Sequence, residues 1–445
     1  MSELFDILKY FLGAKSDVNK VIAGIDWQML YSFAFKQALL GLCFDGIERL
    51  GKEYPEELKL NPIGRELLMT WMGKAQQVRR QNVKVNGVAA KLYSKFREDG
   101  LRCCILKGQG NALMYPNPYS RTPGDIDVWV NASREQITEY VKKYFEIGED
   151  IRYHHLETSL DGVPVELHFF PGIMNNPIYN ARLQKWFRRN ADLQCSNVVS
   201  LPDGIGEIAI PTTAFNVIYQ LTHLYHHFFD EGIGMRQIID YYYVVCDFYK
   251  VYQKSSNPSV SLSKGSSTFS PSPSSSGSGD VTAPSRCSEP LRSKDGGPSK
   301  VSPDCAGWDR LTIEGDNSAG STTAVTSSAS TALDVVQREL KYLGLWKFAG
   351  AVMYVMKEVL GLSEDKMIVP MDEKRGKLLL AEILNGGNFG KHFTKYGHFT
   401  QQGMAKKYFL KIWRNMHFVR YYPAEALSEP IFRTWHFFWR VKNKK

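Results

Sequence analysis

The sequence predicts an α+β protein in which a small mixed sheet with helices lies between two helical regions. Residues 1–98 place apolar residues at three- and four-residue steps, as amphipathic helices do. Residues 99–205 change to short apolar and alternating runs, which indicate strands. Helical spacing returns over 206–253 and 332–445, on either side of a Ser/Gly/Pro-rich tract at 254–331. That tract has little apolar content to bury, so we predict a disordered insertion.

The composition is that of a globular protein with room for two or three domains: 445 residues, 43% hydrophobic and 13% aromatic. The N-terminal apolar stretch is interrupted by Glu3, Asp6 and Lys9, which predicts an amphipathic helix rather than a signal peptide. No apolar run reaches the ~20 residues that a membrane helix needs. Because the seven cysteines are scattered without CxxC spacing, we expect a reduced, cytoplasmic protein with no zinc site.

The net charge of +9 is concentrated at the C-terminus. From Lys391 to the end the chain has 12 Lys and Arg against 2 acidic residues, interleaved with aromatic side chains. This pattern is compatible with a terminal helix whose aromatic residues are buried and whose lysines are solvated. It also suits nucleic acid, through phosphate neutralisation and base stacking, or a helix that lies on a membrane surface.

The middle of the chain predicts the element order β-α-β-α-β-β over residues 101–170. The run "LRCCILKG" is short and apolar, and "DIDVWV" alternates. The segment "NASREQITEYVKKYF" is helical, with Asn131 or Ser133 as its N-cap. The runs "IRYHHLETSL" and "VPVELHFF" flank an Asp-Gly dipeptide, which indicates a hairpin.

Two carboxylates interrupt a run that otherwise alternates like a buried strand. Residues i and i+2 of a strand share a face, so Asp125 and Asp127 lie about 7 Å apart, opposite the face of Ile126. Like charges this close repel each other unless a cation lies between them. Two Mg²⁺ ions about 3.5–4 Å apart match this geometry and also bind phosphate oxygens. Glu166 becomes a third carboxylate of the cluster if its strand pairs beside the first.

A glycine-rich turn precedes these carboxylates. It follows an apolar run and leads into the short helical stretch "NALMY", so its backbone N–H groups suit a phosphate. Lysine and arginine side chains nearby suit a triphosphate, arginine through its bidentate fork. The candidate phosphate-binding residues, which the resemblance described below implies are nucleotide-binding, are Lys107, Gly108, Gln109, Gly110, Arg121 and Gly124.

The segment "THLYHH" places His223, His226 and His227 on one helical face. A metal site, a helix face near the acceptor and ordinary half-buried histidines are all compatible with this spacing, and we favour the last two. His168 either orients Glu166 or a phosphate, or makes a structural hydrogen bond. If the chain catalyses the group transfer that the resemblance described below implies, His168, His223 and His227 are the candidates for the acceptor side of its site. Arg236 and Asp240 are spaced i, i+4 and predict a surface ion pair.

The segments "LKG", "RTPGDIDVWV" and "VPVELH" resemble the polymerase-beta-type nucleotidyltransferase superfamily, most closely its uncharacterised bacterial nucleotidyltransferase family. The resemblance implies a polymerase-beta-like core with flanking helical regions. It also implies that Asp125, Asp127 and Glu166 are catalytic residues that ligate Mg²⁺, and that Gly108 and its neighbours hold the nucleoside triphosphate. The superfamily often has Gly-Ser in the turn, where this chain has Gly108-Gln109.

The expected reaction moves a nucleoside monophosphate from an NTP, such as ATP, to an acceptor hydroxyl. Two metal ions clamp the attacking and leaving oxygens, and a carboxylate near the acceptor takes its proton. The acceptor is a small molecule, a protein or tRNA, because the fold does not choose among them. The alternative is a catalytically inactive nucleotide- or RNA-binding regulatory module, which the missing serine of the turn favours.

Overall fold

The structure, a computed structural model, describes residues 2–14, 18–145, 152–254, 328–393 and 404–443. Six helices open the described chain: α1 (Ser2–Phe11), α2 (Val18–Ala23), α3 (Trp27–Lys36), α4 (Leu40–Glu53), α5 (Pro55–Leu60) and α6 (Arg65–Glu98). Helix α3 begins where the Asp26 side chain accepts a hydrogen bond from Met29 N. The long helix α6 lies against the sheet and connects it to the N-terminal helices.

The central sheet has four strands: β1 (Cys103–Leu106), β2 (Ile126–Val130), β3 (His155–Leu160) and β4 (Val163–His168). They lie in the order β1-β2-β4-β3, with β2 and β4 parallel and the other pairs antiparallel. Helices α7 (Gly108–Ala112) and α8 (Arg134–Tyr144) follow β1 and β2. The predicted order β-α-β-α-β-β and the α+β class are therefore confirmed.

Local sequence signals explain the ends of these elements. Ser133 caps α8 through a capping box with Gln136, as one of the two predicted caps. Asp161 and Gly162 both have positive φ, 51° and 70°, so the β3–β4 hairpin has the Asp-Gly turn that its sequence predicts.

The C-terminal half adds a small two-stranded sheet and a helical layer. Its elements are α9 (Pro177–Ser196), β5 (Val198–Ser200), β6 (Glu207–Ala209), α10 (Thr213–Asp230), α11 (Met235–Lys254), α12 (Ser328–Tyr342), α13 (Trp346–Leu360), α14 (Glu373–Gly386), α15 (Met404–Met416) and α16 (Pro423–Asn443). Helix α12 begins at Ser328, somewhat before the predicted residue 332, and it packs against α10 and α11. The predicted disordered insertion lies almost entirely at 255–327, outside the described residues.

Two hydrophobic cores meet at the sheet. Ile126 and Val128 of β2 face the smaller core, which α6 and α8 cover. Trp129 faces the larger core, which the N-terminal and C-terminal helices share. Helix α1 packs directly on α13, so the two helical regions that flank the sheet in sequence form one body in space. None of the described helices has the length and apolar character to cross a membrane.

Candidate active site

The parallel pairing of β2 and β4 brings the predicted carboxylates together. Asp127 lies opposite Glu166, and Trp129 lies opposite His168. The His168 ring faces both acids: its Nε2 is 2.9 Å from Asp127 Oδ1 and 3.3 Å from Glu166 Oε2. Asp127 and His168 are buried, and Glu166 is half-buried. One imidazole thus joins two carboxylates on the sheet face that looks away from the smaller core.

Asp125 immediately precedes β2 and is exposed, unlike the two strand carboxylates. It lines the same cleft as Asp127 and Glu166. The described residues that line this cleft are Lys107, Gly108, Arg121, Gly124, Asp125, Asp127, Glu166, Gln220, His223, His227, Arg236, Gln237, Asp240 and Phe389.

Lys107 reaches the carboxylates from the end of β1. Its Nζ lies 2.7 Å from Asp127 Oδ1. Its backbone has φ 52° and ψ −121°, a conformation that favours glycine and costs about 1–3 kcal/mol for other residues. Strained backbone of this kind concentrates at functional sites. The strain therefore marks Lys107 as a residue whose position in the cleft matters.

The glycine-rich turn contributes less surface to the cleft than the sequence suggested. Gly108 and Gly124 line it, but Gln109 and Gly110 are buried behind it. A Cβ at Gly110 would lie 3.0 Å from Ile210 Cγ2, so this glycine permits close packing of α7 against Ile210, the residue that follows β6. The structure does not bring Gln109 or Gly110 to the described cleft wall.

Arg121 also lines the cleft and is held by an acid from α11. Its Nε and one terminal nitrogen each donate to Asp240 at 2.8 Å, in a bidentate pair. Tyr115 donates a third hydrogen bond to Asp240, at 2.7 Å. Both charged side chains are buried.

The predicted Arg236–Asp240 surface pair is therefore wrong. Both residues are buried, because α11 is packed into the helical core on most of its circumference. Asp240 pairs with Arg121 instead, and Arg236 donates to the backbone oxygen of Thr122 at 3.0 Å.

The electrostatics of the carboxylate cluster differ from residue to residue. The charge of Asp127, followed by burial, raises the pKa of Asp125 to about 6. Burial raises the pKa of Asp127, but Lys107 and the hydrogen-bonded His168 outweigh burial and bring that pKa below its ordinary value. Burial lowers the pKa of His168, yet its hydrogen bonds to Asp127 and Glu166 raise it to about 9.

Helix α10 forms a further wall. His223 and His227 line the cleft, with ring centroids 4.3 Å apart, and Gln220 lies one turn before them. His226 points elsewhere, with its ring centroid 6.2 Å from that of His154. Two of the three histidines predicted together on one face thus reach the cleft.

The remaining wall comes from a segment far along the chain. Phe389 has φ 53°, and its ring centroid lies 5.2 Å from that of His227 and 5.6 Å from the Arg236 guanidinium carbon. Gly234 permits this approach, because a Cβ there would lie 2.6 Å from Asn388 Cα. Sequence reasoning did not assign Phe389, Gln220 or Gln237 to the site. For Gln220 a signal existed, since it is spaced i, i+3 and i, i+7 from the two cleft histidines.

A family model described as an uncharacterised nucleotidyltransferase matches residues 23–251. The chain belongs to this nucleotidyltransferase family. Among solved structures, it is similar to an antigenic nucleotidyltransferase-like protein from Paracoccidioides brasiliensis. That similarity has 17% identity and a TM-score of 0.26, and it covers 36% of this chain and 75% of the other. No curated protein matches the chain.

The nucleotidyltransferase site has the donor set for a divalent metal ion. Oxygen atoms of Asp127 and Glu166, together with a nitrogen of His168, lie within 4.8 Å of one another, and His168 serves as the hydrogen-bond partner of the carboxylates rather than as a ligand. Carboxylate oxygens are the ligands that Mg²⁺ prefers. Asp125 adds a third carboxylate, and the charges of Asp127 and Glu166 oppose its ionisation. The residues present therefore fit a divalent metal ion.

Proposed function

We propose that the protein is an active, Mg²⁺-dependent nucleotidyltransferase that moves a nucleoside monophosphate from an NTP to an acceptor hydroxyl. The observation that carries the proposal is the in-register pairing of Asp127 with Glu166 across two parallel strands, with Asp125 at the same cleft. These three carboxylates are the proposed metal ligands. Bound Mg²⁺ would neutralise the triphosphate and stabilise charge on the attacking and leaving oxygens.

The protein's own residues hold and orient the reactants. The Nε2–H of His168 donates to Asp127 and Glu166 and so orients both carboxylates. Lys107 supplies an ammonium group beside Asp127 that suits the triphosphate. Gly108 and Gly124 line the cleft and have no side chains, so a phosphate could approach their backbone there. A carboxylate next to the acceptor takes the hydroxyl proton as oxygen attacks the α-phosphate and pyrophosphate leaves.

The acceptor would enter along α10. His223, His227 and Gln220 line that side of the cleft, and they present imidazole and amide groups that can bind a hydroxyl-bearing molecule. Small molecules, proteins and tRNA all carry such hydroxyls. A cytoplasmic location, expected from the cysteine pattern, is the compartment that we propose.

One observation favours nucleic acid among these acceptors. In the described part of the C-terminal hairpin α15–α16, the two acids Glu425 and Glu429 are buried, whereas Lys406, Arg440 and Lys442 are exposed. Large aromatic side chains are exposed on the same two helices: Phe409, Trp413, Trp435, Phe437 and Phe438. Positive charge beside exposed aromatic rings suits the phosphates and bases of RNA.

A second candidate function is a regulatory module that binds nucleotide or RNA without turnover. The contact that favours it is the 2.7 Å pair of Lys107 and Asp127, in which an ammonium group already neutralises a metal-ligand carboxylate. Lys107 also lies in the turn that lacks the serine frequent in the superfamily.

Pyrophosphate release separates the two functions. The full-length protein is incubated with each of the four NTPs and with candidate acceptors, including total tRNA, in the presence of Mg²⁺ or a chelator. Active transfer predicts pyrophosphate release that requires Mg²⁺ and labels an acceptor. Binding of NTP without pyrophosphate release or labelling under any of these conditions would support the regulatory module and contradict the enzyme.

A further inference from the structure

Six of the ten histidines in the chain gather at and behind the active site: His154, His155, His168, His223, His226 and His227. The proposed transfer uses His168, His223 and His227 and leaves His154, His155 and His226 without a role; of these three, His154 and His155 lie beside His168. Both belong to the β3 edge of the sheet. Their chemistry is therefore open to a separate explanation.

His154, His155 and His168 form a compact group. His155 lies opposite His168 in the antiparallel register of β3 and β4, and His154 immediately precedes β3. The ring centroids are 4.3 Å apart for His154–His155, 5.1 Å for His155–His168 and 5.8 Å for His154–His168. One ring nitrogen from each lies within 4.8 Å of the other two.

Several nitrogen atoms of these imidazoles lack a hydrogen bond of good geometry to any described residue. Nδ1 of His154, both nitrogens of His155 and Nδ1 of His168 are buried without a hydrogen-bond partner. The closest carboxylates to His155 are 3.4 Å away, at Glu166, and 3.6 Å away, at Glu157. His155 is 2% exposed, so water does not readily reach its ring. Buried polar atoms without partners are unfavourable, which indicates that a ligand belongs between the rings.

His168 connects this group to the carboxylates. Its Nε2 faces Asp127 and Glu166, which leaves the unpartnered Nδ1 for another ligand. A histidine that donates one ring N–H to a carboxylate and offers the other nitrogen to a metal ion is the usual arrangement around protein-bound metals. The carboxylates hold the proton on Nε2, so a metal ion would bind at Nδ1 by replacing the proton there.

We propose that His154, His155 and His168 form a second metal site, selective for a borderline divalent cation such as Zn²⁺ and distinct from the Mg²⁺ site. Three imidazoles with an open fourth position are a common zinc ligand set, whereas Mg²⁺ prefers oxygen. The sequence predicted no zinc site, but that prediction rested on the cysteine spacing alone, and a site made of histidines would contradict it. An ion there holds the His168 ring and, through it, the orientation of Asp127 and Glu166.

The test uses the full-length protein, stripped of metal with a chelator and kept in excess Mg²⁺ to fill the carboxylate site. Co²⁺ is the spectroscopic probe. We expect one Co²⁺ per chain, with the visible absorption of a nitrogen-ligated ion, and displacement of that signal by Zn²⁺. His154→Gln and His155→Gln should each abolish the signal and weaken Zn²⁺ binding by at least about 10–100-fold, the loss usual even for an outer partner of a ligand. The exposed His417 provides the matched control, His417→Gln, which should bind as the parent does.

Two further readouts keep the result independent of variant folding and of activity. Zn²⁺, but not an equal concentration of Mg²⁺, should raise the Tm of the unaltered protein. Asp125→Asn should impair transfer but retain the Co²⁺ signal, so failure of the enzyme proposal leaves this site standing. Absence of Co²⁺ binding in excess Mg²⁺, or an unchanged signal in a folded His154→Gln protein, would overturn the second site.

Discussion

Two clusters of charge face the same cleft and are built in opposite ways. On one wall, Arg121 and Asp240 form a buried bidentate pair to which Tyr115 adds a third hydrogen bond. On the other, Asp127 shares Lys107 and His168 with its acidic neighbours. The first cluster has its charges matched within the protein. The second has more carboxylates than cationic side chains, which is why we propose that it binds a metal ion.

The contrast teaches how to tell structural from functional charge in this fold. A bidentate pair with both members buried is complete, and the loss of either partner leaves an uncompensated charge. The charge of Asp127 raises the pKa of Asp125 to about 6, and carboxyl groups with a raised pKa are frequent at functional sites. The same residue types therefore predict different consequences of substitution on the two walls.

The largest expected effect is on activity, at Asp127. Asp127→Asn removes the charge that faces the proposed metal site while nearly preserving the side-chain volume. We expect transfer to fall by about a thousand-fold or more, since metal-ion stabilisation contributes several kcal/mol to such reactions. Pyrophosphate release is the measurement, with circular dichroism to verify folding. Asp192→Asn, at an exposed acid paired with Arg102, is the matched control and should retain activity. Wild-type rates in Asp127→Asn would remove the distinction between the two walls.

The second effect is on stability, at Asp240. Asp240→Ala strands the buried Arg121 charge, so we expect the free energy of unfolding to fall by about 3–5 kcal/mol. The double variant Arg121→Met/Asp240→Leu replaces the pair with apolar side chains and should recover most of that loss. Urea unfolding of both variants measures it. An Asp240→Ala protein as stable as the parent would show that the pair is not structural.

Glu425 is another buried carboxyl, and it differs from Asp240 and Asp127 because its hydrogen-bond donors are backbone N–H groups. Glu425 accepts from Asn175 N at 2.6 Å and Asn176 N at 3.2 Å, and burial raises its pKa to about 7. A carboxyl whose pKa is higher in the folded state destabilises that state as it ionises. The contribution of Glu425 to the free energy of unfolding therefore falls as pH rises from about 4.5 to about 7, by at most about 3 kcal/mol.

Glu425→Gln cannot titrate, so the stability difference between parent and variant should shrink over that pH range. Unfolding free energies at several pH values between 4 and 8 provide the measurement. Parallel pH profiles for the two proteins would contradict the raised pKa.

The smallest effect is on nucleotide affinity, and it compares the two walls directly. Lys107→Ala should weaken triphosphate binding by about 1–3 kcal/mol, the scale of a hydrogen bond to a charged group, and monophosphate binding by much less. The sequence alone predicts the same loss for Arg121. Since Asp240 already holds that guanidinium, we expect Arg121→Met/Asp240→Leu to bind triphosphate within about threefold of the parent. A loss in the double variant equal to that of Lys107→Ala would make Arg121 a phosphate ligand after all.

Local periodicity predicted the sheet and much of its chemical face. Alternation on β2 and β4 assigns Asp127 and Glu166 to the face opposite Ile126, whatever else packs there. The Asp161–Gly162 turn likewise depends on neighbouring residues alone. These features are determined by backbone geometry over a few residues, so a single sequence is enough to predict them.

Contacts between elements far apart in sequence determine the features that the sequence did not predict. The partner of Asp240 is Arg121 on another element, so helical spacing pointed to the wrong neighbour, Arg236. The sequence did contain a signal that Asp240 is buried, because the segment "IIDYYYVVCDF" around it is apolar on most sides of the helix. No comparable signal places Phe389 beside His227, since that contact depends on how the C-terminal helices dock.

Phe389 has one further consequence. The family match ends at residue 251, so the wall that this side chain forms is encoded outside the shared segment. The carboxylates and this part of the cleft boundary therefore lie on stretches of chain that are far apart in sequence. We expect that a substitution of Phe389 changes the shape of the cleft entrance while Asp125, Asp127 and Glu166 stay in place, because no backbone is shared between them.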